Sequence, residues 1–356
     1  MPLPIKVLVV DDSALMRALL TELIDGAPDM KVVGAAPDPI AAREMIKSLA
    51  PDVVTLDVEM PRMDGLEFLG RLMRLRPMPV VMISSYTERG SQITLQALEL
   101  GAIDFATKPQ ADNPERLQRY AEELRDKIRT AFGARLGLRS AVRAAAPAPA
   151  APASLAGDIP ARVLTEKVVA LGASTGGTEA IRAVLTALPA EMPPIVMVQH
   201  MPETFTPSFA ARLDSLSRLT VIEAKGGERL TPGHAYLAPG HSHLLVKKQG
   251  GAFYTELSKA DPVNRHRPAA DVLFHSVAAE VGKNALGVIL TGMGKDGAQG
   301  LLEMRNAGSW NIGQDQDSCV VYGMPRAAAE IGALHEVAAL GEIAPRLVAH
   351  LRRASP

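Results

Sequence analysis

The chain has 356 residues, of which 47% are hydrophobic and 22% are charged, and its formal net charge at pH 7 is -1. This length predicts about two globular domains, and the balanced charge provides no basic field for nucleic acid or an anionic membrane. The single cysteine, Cys319, excludes an intramolecular disulfide framework, and the N-terminus shows neither a signal peptide nor a membrane span. We therefore expect a cytoplasmic, soluble protein that neither binds nucleic acid nor inserts into a membrane.

Short apolar runs alternate with longer amphipathic stretches in the first third of the chain. The runs predict strands at 5–10, 31–34, 53–56, 80–83 and 103–106. The amphipathic stretches predict helices near 13–25, 39–49, 65–75, 90–100 and 113–132. Because strands alternate with helices, we predict a doubly wound α/β domain with a parallel sheet, spanning residues 1–132.

Polar residues stand at the ends of the strands of this domain. Asp11 and Asp12 end the first strand, Asp57 ends the third, Ser84 ends the fourth, and Lys108 follows the fifth. The carboxyl ends of parallel strands share one edge of a sheet, so these side chains should converge. Three carboxylates together need a cation, and oxygen ligands favour Mg²⁺. One carboxylate can then accept a phosphoryl group, whose oxygens Ser84 and Lys108 would neutralise.

The motifs that carry these residues resemble the response-regulator receiver family over residues 5–122. They read VVDDS (9–13), TLDVEMPRMDG (55–65), ISS (83–85) and FATKP (105–109). The resemblance implies a flavodoxin-like receiver in which Asp57 takes phosphate from a histidine kinase. The Mg²⁺ ligands it implies are Asp11, Asp12, Asp57 and the backbone at Glu59. The switch positions it implies are Ser84, Phe105 and Lys108.

An Ala/Pro-rich segment follows, and then the α/β alternation resumes. Residues 133–160 show no periodic core face and predict an extended linker. Residues 161–356 predict a second doubly wound parallel-sheet domain, which is Rossmann-like and has a β-rich insertion at 234–257. The predicted strands are 168–171, 195–199, 219–223, 285–290 and 309–314, and the predicted helices are 268–281, 297–307 and others to the end.

The turn after the first strand of this domain reads GASTGG (172–177). It fits the G-x-S-x-G nucleophile elbow, with Ser174 as the nucleophile. The same glycines, followed by a helix, can instead cradle a phosphate. A dinucleotide site is disfavoured because the spacing is not G-x-G-x-x-G.

Two more polar residues follow strands in the same way. His200 comes directly after strand 195–199, and Asp296 comes shortly after strand 285–290. A serine hydroxyl needs an imidazole to take its proton and a carboxylate to orient that imidazole. The order Ser–His–Asp differs from that of α/β hydrolases, which argues against their fold but not against a triad. The spacing of His241 and His243 on one strand face leaves a metal pair as an alternative.

Five motifs in this order resemble the chemotaxis-type protein-glutamate methylesterase (CheB) family. They are GASTGGT (172–178), VQHMP (198–202), LAPGH (237–241), VNRHRP (263–268) and LTGMGKDG (290–297). The resemblance covers the chain apart from the linker and implies a catalytic triad of Ser174, His200 and Asp296. Backbone N–H groups at Thr175 and Met293 are the candidates to hold the oxyanion.

The resemblance also implies the reaction and its control. The reaction hydrolyses γ-methyl esters of chemoreceptor glutamates, releases methanol and deamidates certain glutamines, with no cofactor in the catalytic domain. The implied partners are a chemotaxis histidine kinase and methyl-accepting chemoreceptors, and we expect a monomer. The unphosphorylated receiver is expected to restrict access to the catalytic site until Asp57 is phosphorylated. The alternative is a response regulator whose C-terminal domain is a non-catalytic binding module.

Overall fold

The computed structural model describes residues 3–60, 65–85, 87–109, 113–134 and 159–353. The chain divides into two compact units between residues 140 and 141. Most of the predicted linker, residues 135–158, lies outside the described residues. The domain boundaries at 132 and 160 therefore stay predictions, and each unit is described by itself.

The first unit contains a five-stranded sheet with helices between the strands. The strands are β1 Ile5–Val10, β2 Met30–Ala36, β3 Val53–Asp57, β4 Val80–Ser84 and β5 Asp104–Thr107. The helices are α1 Ala14–Asp25, α2 Pro39–Leu49, α3 Gly65–Leu75, α4 Glu88–Leu100 and α5 Pro114–Gly133. The strand order is β2-β1-β3-β4-β5 and every pair is parallel, which confirms the predicted flavodoxin-like topology.

Side-chain caps fix where the helices of this unit begin. The hydroxyl of Ser13 accepts a hydrogen bond from Met16 N, and the carboxylate of Asp38 accepts from Ile40 N and Ala41 N. Thr87 and Asn113 cap α4 and α5 in the same way. Each cap satisfies a backbone donor that the first helical turn leaves free. Ser13 in particular starts α1 directly behind the acidic pair that ends β1.

The second unit contains a seven-stranded parallel sheet and a separate hairpin. The strands are β6 Val168–Ala173, β7 Ile195–Gln199, β8 Thr220–Glu223, β9 His234–Leu237, β10 His243–Gln249, β11 Ala252–Ser258, β12 Ala285–Ile289, β13 Trp310–Gln314 and β14 Glu336–Ala338. The helices are α6 Ala161–Glu166, α7 Gly177–Ala187, α8 Thr206–Leu216, α9 Ala270–Glu280, α10 Ala298–Asn306, α11 Met324–Glu330 and α12 Leu340–Arg353. The sheet order is β14-β13-β12-β6-β7-β9-β8.

The predicted β-rich stretch divides between two sheets. Strand β9 pairs in parallel with β7 and β8 in the main sheet, whereas β10 and β11 form an antiparallel hairpin. The predicted β-rich insertion is therefore confirmed, but it is a hairpin at residues 243–258 and is shorter than the predicted stretch 234–257. Strand β14, which the apolar pattern does not reveal, is only three residues long and lies at the sheet edge.

Helix α9 packs closely on the strand that carries the glycine-rich turn. Ala270, Leu273, Phe274 and Val277 of this helix are all fully buried in the core. A Cβ at Gly172 would lie 2.9 Å from the Cβ of Ala270, so only glycine permits this approach. The packing brings the beginning of α9 to the carboxyl edge of the sheet. No helix within the described ranges is long and apolar enough to cross a membrane.

Candidate active site

The first unit gathers its predicted acidic residues at one edge of the sheet. The carboxylates of Asp11, Asp12 and Asp57 offer ligand atoms that all lie within 4.8 Å of one another. Lys108 Nζ donates to Asp57 Oδ2 at 2.9 Å and lies 3.6 Å from Asp11 Oδ2. Glu59 N donates to Asp57 Oδ1 at 3.2 Å. This is the arrangement expected from strand-end placement in a doubly wound sheet.

The charges of this acidic site are not balanced by the protein alone. Burial raises the pKa of Asp57, and the nearby Asp11 adds to the effect, so that the pKa reaches about 6 despite the Lys108 ammonium. Burial raises the pKa of Asp11 as well. Asp11 Oδ2 is buried and has no hydrogen-bond partner among the residues described. A buried carboxylate oxygen that has an ion pair with Lys108 but no hydrogen bond, beside two other carboxylates, fits a hard divalent cation such as Mg²⁺.

The predicted switch residues lie around this acidic site in different environments. Ser84 is buried, and its hydroxyl contacts Gly90 O at 3.3 Å and Thr94 Oγ1 at 2.8 Å on helix α4. Phe105 is also buried, with Lys127 Nζ 5.6 Å from its ring centroid. Of the predicted switch residues, Lys108 contacts the carboxylates directly, whereas the Ser84 hydroxyl is bonded to α4.

The second unit brings its three predicted polar residues to the topological switch point of its sheet. Strand β6 lies between β7 and β12, and these three strands lead to Ser174, His200 and Asp296 respectively. A crevice outside the carboxyl ends of such strands is where open α/β sheets bind their ligands. Ser174 is half-buried, and Asp296 is buried.

Asp296 accepts four hydrogen bonds, two on each carboxylate oxygen. Oδ2 accepts from His200 Nε2 at 2.8 Å and from Ala270 N at 2.6 Å. Oδ1 accepts from Asn264 Nδ2 at 2.8 Å and from Asp271 N at 3.2 Å. The two backbone donors belong to the first turn of α9, where the helix dipole favours a negative charge.

The pKa of Asp296 reflects this network. Burial by itself would raise the pKa of the carboxyl. The hydrogen bond from His200, the positive charge of that ring when it is protonated, and the hydrogen bonds from Asn264 and Ala270 N outweigh burial and lower the pKa to about 2. Asp296 is therefore an ionised acceptor at neutral pH. The His200 nitrogen that faces it, Nε2, must therefore carry a hydrogen, which in the neutral ring leaves Nδ1 without one.

The other nitrogen of His200 is then a hydrogen-bond acceptor. Nδ1 is buried and has no hydrogen-bond partner in the part of the chain that the structure describes. An unprotonated ring nitrogen without a partner can take the proton of a serine hydroxyl, as general-base catalysis requires. The roles of the two nitrogens are the reverse of those in the familiar triad, in which Nδ1 faces the carboxylate.

Gln199 connects the segment that carries Ser174 with the segment that carries His200. Its Nε2 donates to Ser174 O at 3.0 Å and to His200 O at 3.2 Å. His200 N also donates to Ala173 O at 3.2 Å across the β6–β7 pair. A Cβ at Gly177 would lie 2.1 Å from Gln199 Oε1, which explains the last glycine of the GASTGG turn. The backbones that carry Ser174 and His200 are thus held in a fixed relation.

The two oxyanion candidates lie on loops next to Ser174. Ser174 N donates to Thr291 O at 3.1 Å, and Thr291 Oγ1 donates to Thr175 O at 3.0 Å. Gly292 approaches so closely that a Cβ there would lie 2.9 Å from Ser174 Cβ. Thr175 is buried, whereas Met293 is 39% exposed. Their role in binding an oxyanion stays a prediction.

The alternative metal pair does not fit the surroundings of its histidines. His243 uses both ring nitrogens, because Nε2 donates to Asp261 O and Nδ1 accepts from Ala269 N. The Nδ1 of His241 contacts Ser242 Oγ at 2.8 Å. A histidine whose two nitrogens are both bound to backbone cannot ligate a metal without breaking these bonds.

Three further residues shape the site and have no role predicted from the sequence. Gln199, Asn264 and Asp271 all make hydrogen bonds to Ser174, His200 or Asp296. Gln199 and Asn264 stand in the motifs VQHMP and VNRHRP, so a signal was present. Their roles were hidden because the hydrogen bonds join segments that are 25 and 32 residues apart in the chain.

Comparisons with known proteins divide the chain in the same way. Residues 7–121 match the model of the response regulator receiver domain, and residues 169–347 match the model of the CheB methylesterase family. The crystal structure of the Thermotoga maritima CheB methylesterase catalytic domain is 42% identical, with a TM-score of 0.51. It covers 52% of this chain and 99% of its own.

Full-length relatives are similar along almost the whole chain. A protein from Dechloromonas aromatica named protein-glutamate methylesterase/protein-glutamine glutaminase 1 is 62% identical over 351 residues. The match covers 98% of this chain and 99% of that protein. A protein-glutamate methylesterase/protein-glutamine glutaminase from Nitrosomonas europaea is 59% identical, with 98% and 96% covered.

Proposed function

The chain belongs to the CheB methylesterase family, and on this basis we propose that Ser174, His200 and Asp296 carry out its hydrolytic reaction. The enzyme is a protein-glutamate methylesterase and protein-glutamine glutaminase of chemotactic adaptation, controlled by its receiver domain. The observation that carries the assignment of residues is the buried His200–Asp296 pair at the strand edge that also presents Ser174.

Acylation begins with the Ser174 hydroxyl. Its oxygen attacks the γ-carbonyl carbon of the glutamyl ester while Nδ1 of His200 takes the hydroxyl proton. The imidazolium that forms is stabilised by the ionised Asp296, which keeps its charge because its pKa is about 2. The same proton then passes from His200 to the leaving methoxide, and methanol departs. For a glutamine substrate the leaving group is ammonia.

Deacylation repeats the proton transfers with water. His200 removes a proton from a water molecule, whose oxygen attacks the acyl carbon, and then returns the proton to Ser174. Both steps pass through a tetrahedral oxyanion. Backbone N–H groups at Thr175 and Met293 are proposed to hold it, because both segments border Ser174. The products are a glutamate carboxylate and the free enzyme.

A non-catalytic binding module is the less suitable explanation of this unit. A binding surface has no need for a buried carboxylate that accepts four hydrogen bonds and fixes the tautomer of a histidine. Release of methanol from methylated receptors by the purified chain distinguishes the two functions, since a binding module releases none.

The receiver is proposed to bind Mg²⁺ and to take phosphate on Asp57. Asp11, Asp12, Asp57 and the backbone at Glu59 would hold the ion, whose charge neutralises the transferred phosphoryl group. Lys108 already contacts Asp57 and would contact the phosphate, and Ser84 and Phe105 would change position on phosphorylation. The phosphate donor is proposed to be a histidine kinase of the chemotaxis type.

We propose a cytoplasmic monomer whose substrates are methyl-accepting chemoreceptors. No binding to nucleic acid is proposed.

The acidic site should bind Mg²⁺ through its carboxylates. Replacing Asp11 or Asp57 with asparagine removes one of three negative ligands, and we expect the Kd for Mg²⁺ to rise about tenfold or more. Isothermal titration of the full chain with MgCl₂ measures this. Glu44→Gln, a change at an exposed carboxylate on α2, should leave the Kd unchanged. Equal affinities of all four proteins would contradict the proposed ion site.

Phosphorylation of Asp57 should raise the rate of methanol release. With Mg²⁺ and a small phosphodonor such as acetyl phosphate, we expect activation of about tenfold or more, which needs only about 1.4 kcal/mol of coupling free energy. Asp57→Asn should abolish the activation but keep the basal rate. Asp126→Asn, which changes a carboxylate on α5, should be activated like the wild type. Activation that survives in Asp57→Asn would show that the phosphate acts elsewhere.

A further inference from the structure

A tight turn next to the catalytic residues has a strained backbone. Val263 and His266 exchange backbone hydrogen bonds of 3.0 and 2.9 Å. The two residues between them, Asn264 and Arg265, have φ angles of 52° and 70°. Left-handed conformations at both central positions define a type I′ turn, which asparagine tolerates and arginine does not favour. We name residues 263–266 the positioning turn.

The first central residue of the positioning turn is bound to two buried carboxylates. Asn264 Nδ2 donates to Asp296 Oδ1 and to Asp271 Oδ2, each at 2.8 Å. Asp271 also accepts from Gly300 N at 2.8 Å, which anchors it to helix α10. The side-chain amide of Asn264 therefore donates both of its hydrogens to fixed acceptors, and the turn cannot shift without breaking both bonds.

The last residue of the positioning turn lies against the catalytic imidazole. The rings of His266 and His200 stack with their centroids 3.7 Å apart and an angle of 14° between their planes. Among the described residues, the ring of His200 makes one hydrogen bond, from Nε2 to Asp296. A single hydrogen bond at one corner leaves a ring free to tilt about that corner, and a stacked neighbour opposes such a tilt.

We propose that the positioning turn aligns the catalytic base, with His266 holding the plane of the His200 ring and Asn264 holding Asp296. The proposal rests on the catalytic roles given under "Proposed function". His266 is a positioning residue: it gives up no proton and forms no bond to the substrate. Its stacked ring restricts the tilt of the His200 ring and so fixes the direction of Nδ1, the nitrogen that is proposed to take the Ser174 proton.

Two substitutions at His266 separate the ring from the rest of the side chain. His266→Leu keeps an apolar group of similar size but removes the planar ring, and we expect kcat to fall by about ten- to a hundredfold with KM within about twofold of wild type. His266→Phe keeps a planar ring for stacking, and its kcat should stay within about threefold of the wild-type value. Steady-state methanol release from methylated receptor membranes measures both constants.

His350 provides a matched control. Its ring stacks on Trp310 with centroids 4.4 Å apart and 17° between the planes. Trp310 begins β13, so this stack lies at the edge of the sheet opposite to the catalytic site. His350→Leu should change the midpoint of thermal unfolding and leave kcat unchanged. Thermal unfolding of all three variants identifies any loss of activity that comes from a loss of fold.

Three outcomes would overturn the proposal. One is a wild-type kcat in folded His266→Leu; another is an equal loss in the leucine and phenylalanine variants; the third is a loss in His350→Leu as large as in His266→Leu. Failure of the proposed function is a different result, because the wild-type enzyme would then release no methanol. An active wild type with an unaffected His266→Leu rejects only the positioning role.

Discussion

Replacement of Ser174 with alanine is expected to lower kcat for methyl-ester hydrolysis by about 10⁴-fold or more, the usual loss when a triad nucleophile is removed. The hydroxyl is the only group in the proposed mechanism that bonds to the acyl carbon during the first step. The fold should survive, since the Ser174 contacts that hold the turn are made by its backbone N and O. The measurement is methanol release per folded enzyme.

A second serine controls for this substitution. Ser215 lies exposed on helix α8, and its hydroxyl donates to Arg212 O. Ser215→Ala should show wild-type kcat and KM. If Ser174→Ala turned over substrate within about tenfold of wild type, the nucleophile would have to be another residue, and the proposed mechanism would be wrong.

Asp296→Asn is expected to lower kcat by about 10⁴-fold, as the loss of the orienting carboxylate does in other triads. The amide can offer only one acceptor oxygen to a site with four donors. Its NH₂ group would replace one of the two carboxylate oxygens and would face two N–H donors there. These donors are His200 Nε2 and Ala270 N in one orientation of the amide, and Asn264 Nδ2 and Asp271 N in the other. The His200 tautomer with its proton on Nε2 would no longer be fixed.

The same substitution should also reduce stability in a pH-dependent way. The pKa of Asp296 is about 2 in the folded chain against 3.8 as the ordinary value, so its charge favours the folded state above pH 3.8. The contribution is lost as the pH falls through about 2. A difference of about two pKa units corresponds to about 2–3 kcal/mol. Urea unfolding at pH 7 should reveal this loss, and the difference between wild type and Asp296→Asn should shrink below about pH 4. Equal stabilities at pH 7 would contradict the buried, ionised carboxylate.

The placement of the functional residues could be predicted because it depends on a simple rule. Asp57, Ser174 and His200 each end or directly follow an apolar run, and parallel strands bring their ends to one edge. The order of the strands in the second sheet did not have to be known for this. Two features of this sheet could not be predicted: the short strand β14, and the fact that β9 belongs to the main sheet rather than to the hairpin. The sequence of neither strand indicates which strands it pairs with.

The alignment of the proposed catalytic groups could not be predicted from the pattern. Which nitrogen of His200 faces Asp296 depends on the ring orientation, and the stack with His266 depends on a turn with two left-handed residues that are not glycine. A sequence pattern predicts such a conformation poorly, because the tertiary contacts of Asn264 hold it in place. The sequence pattern also does not indicate that the backbone N–H groups of Ala270 and Asp271 donate to Asp296.

The most direct test of the enzyme is methanol release from methylated chemoreceptor membranes, measured with and without Mg²⁺ and acetyl phosphate. The purified full-length chain should release methanol, more rapidly with the phosphodonor, and Ser174→Ala should release none above background under either condition. Alkaline hydrolysis of the same membranes measures the total methyl ester that is available. Membranes that yield methanol to alkali but none to the wild-type enzyme, even with the phosphodonor, would contradict the proposed function.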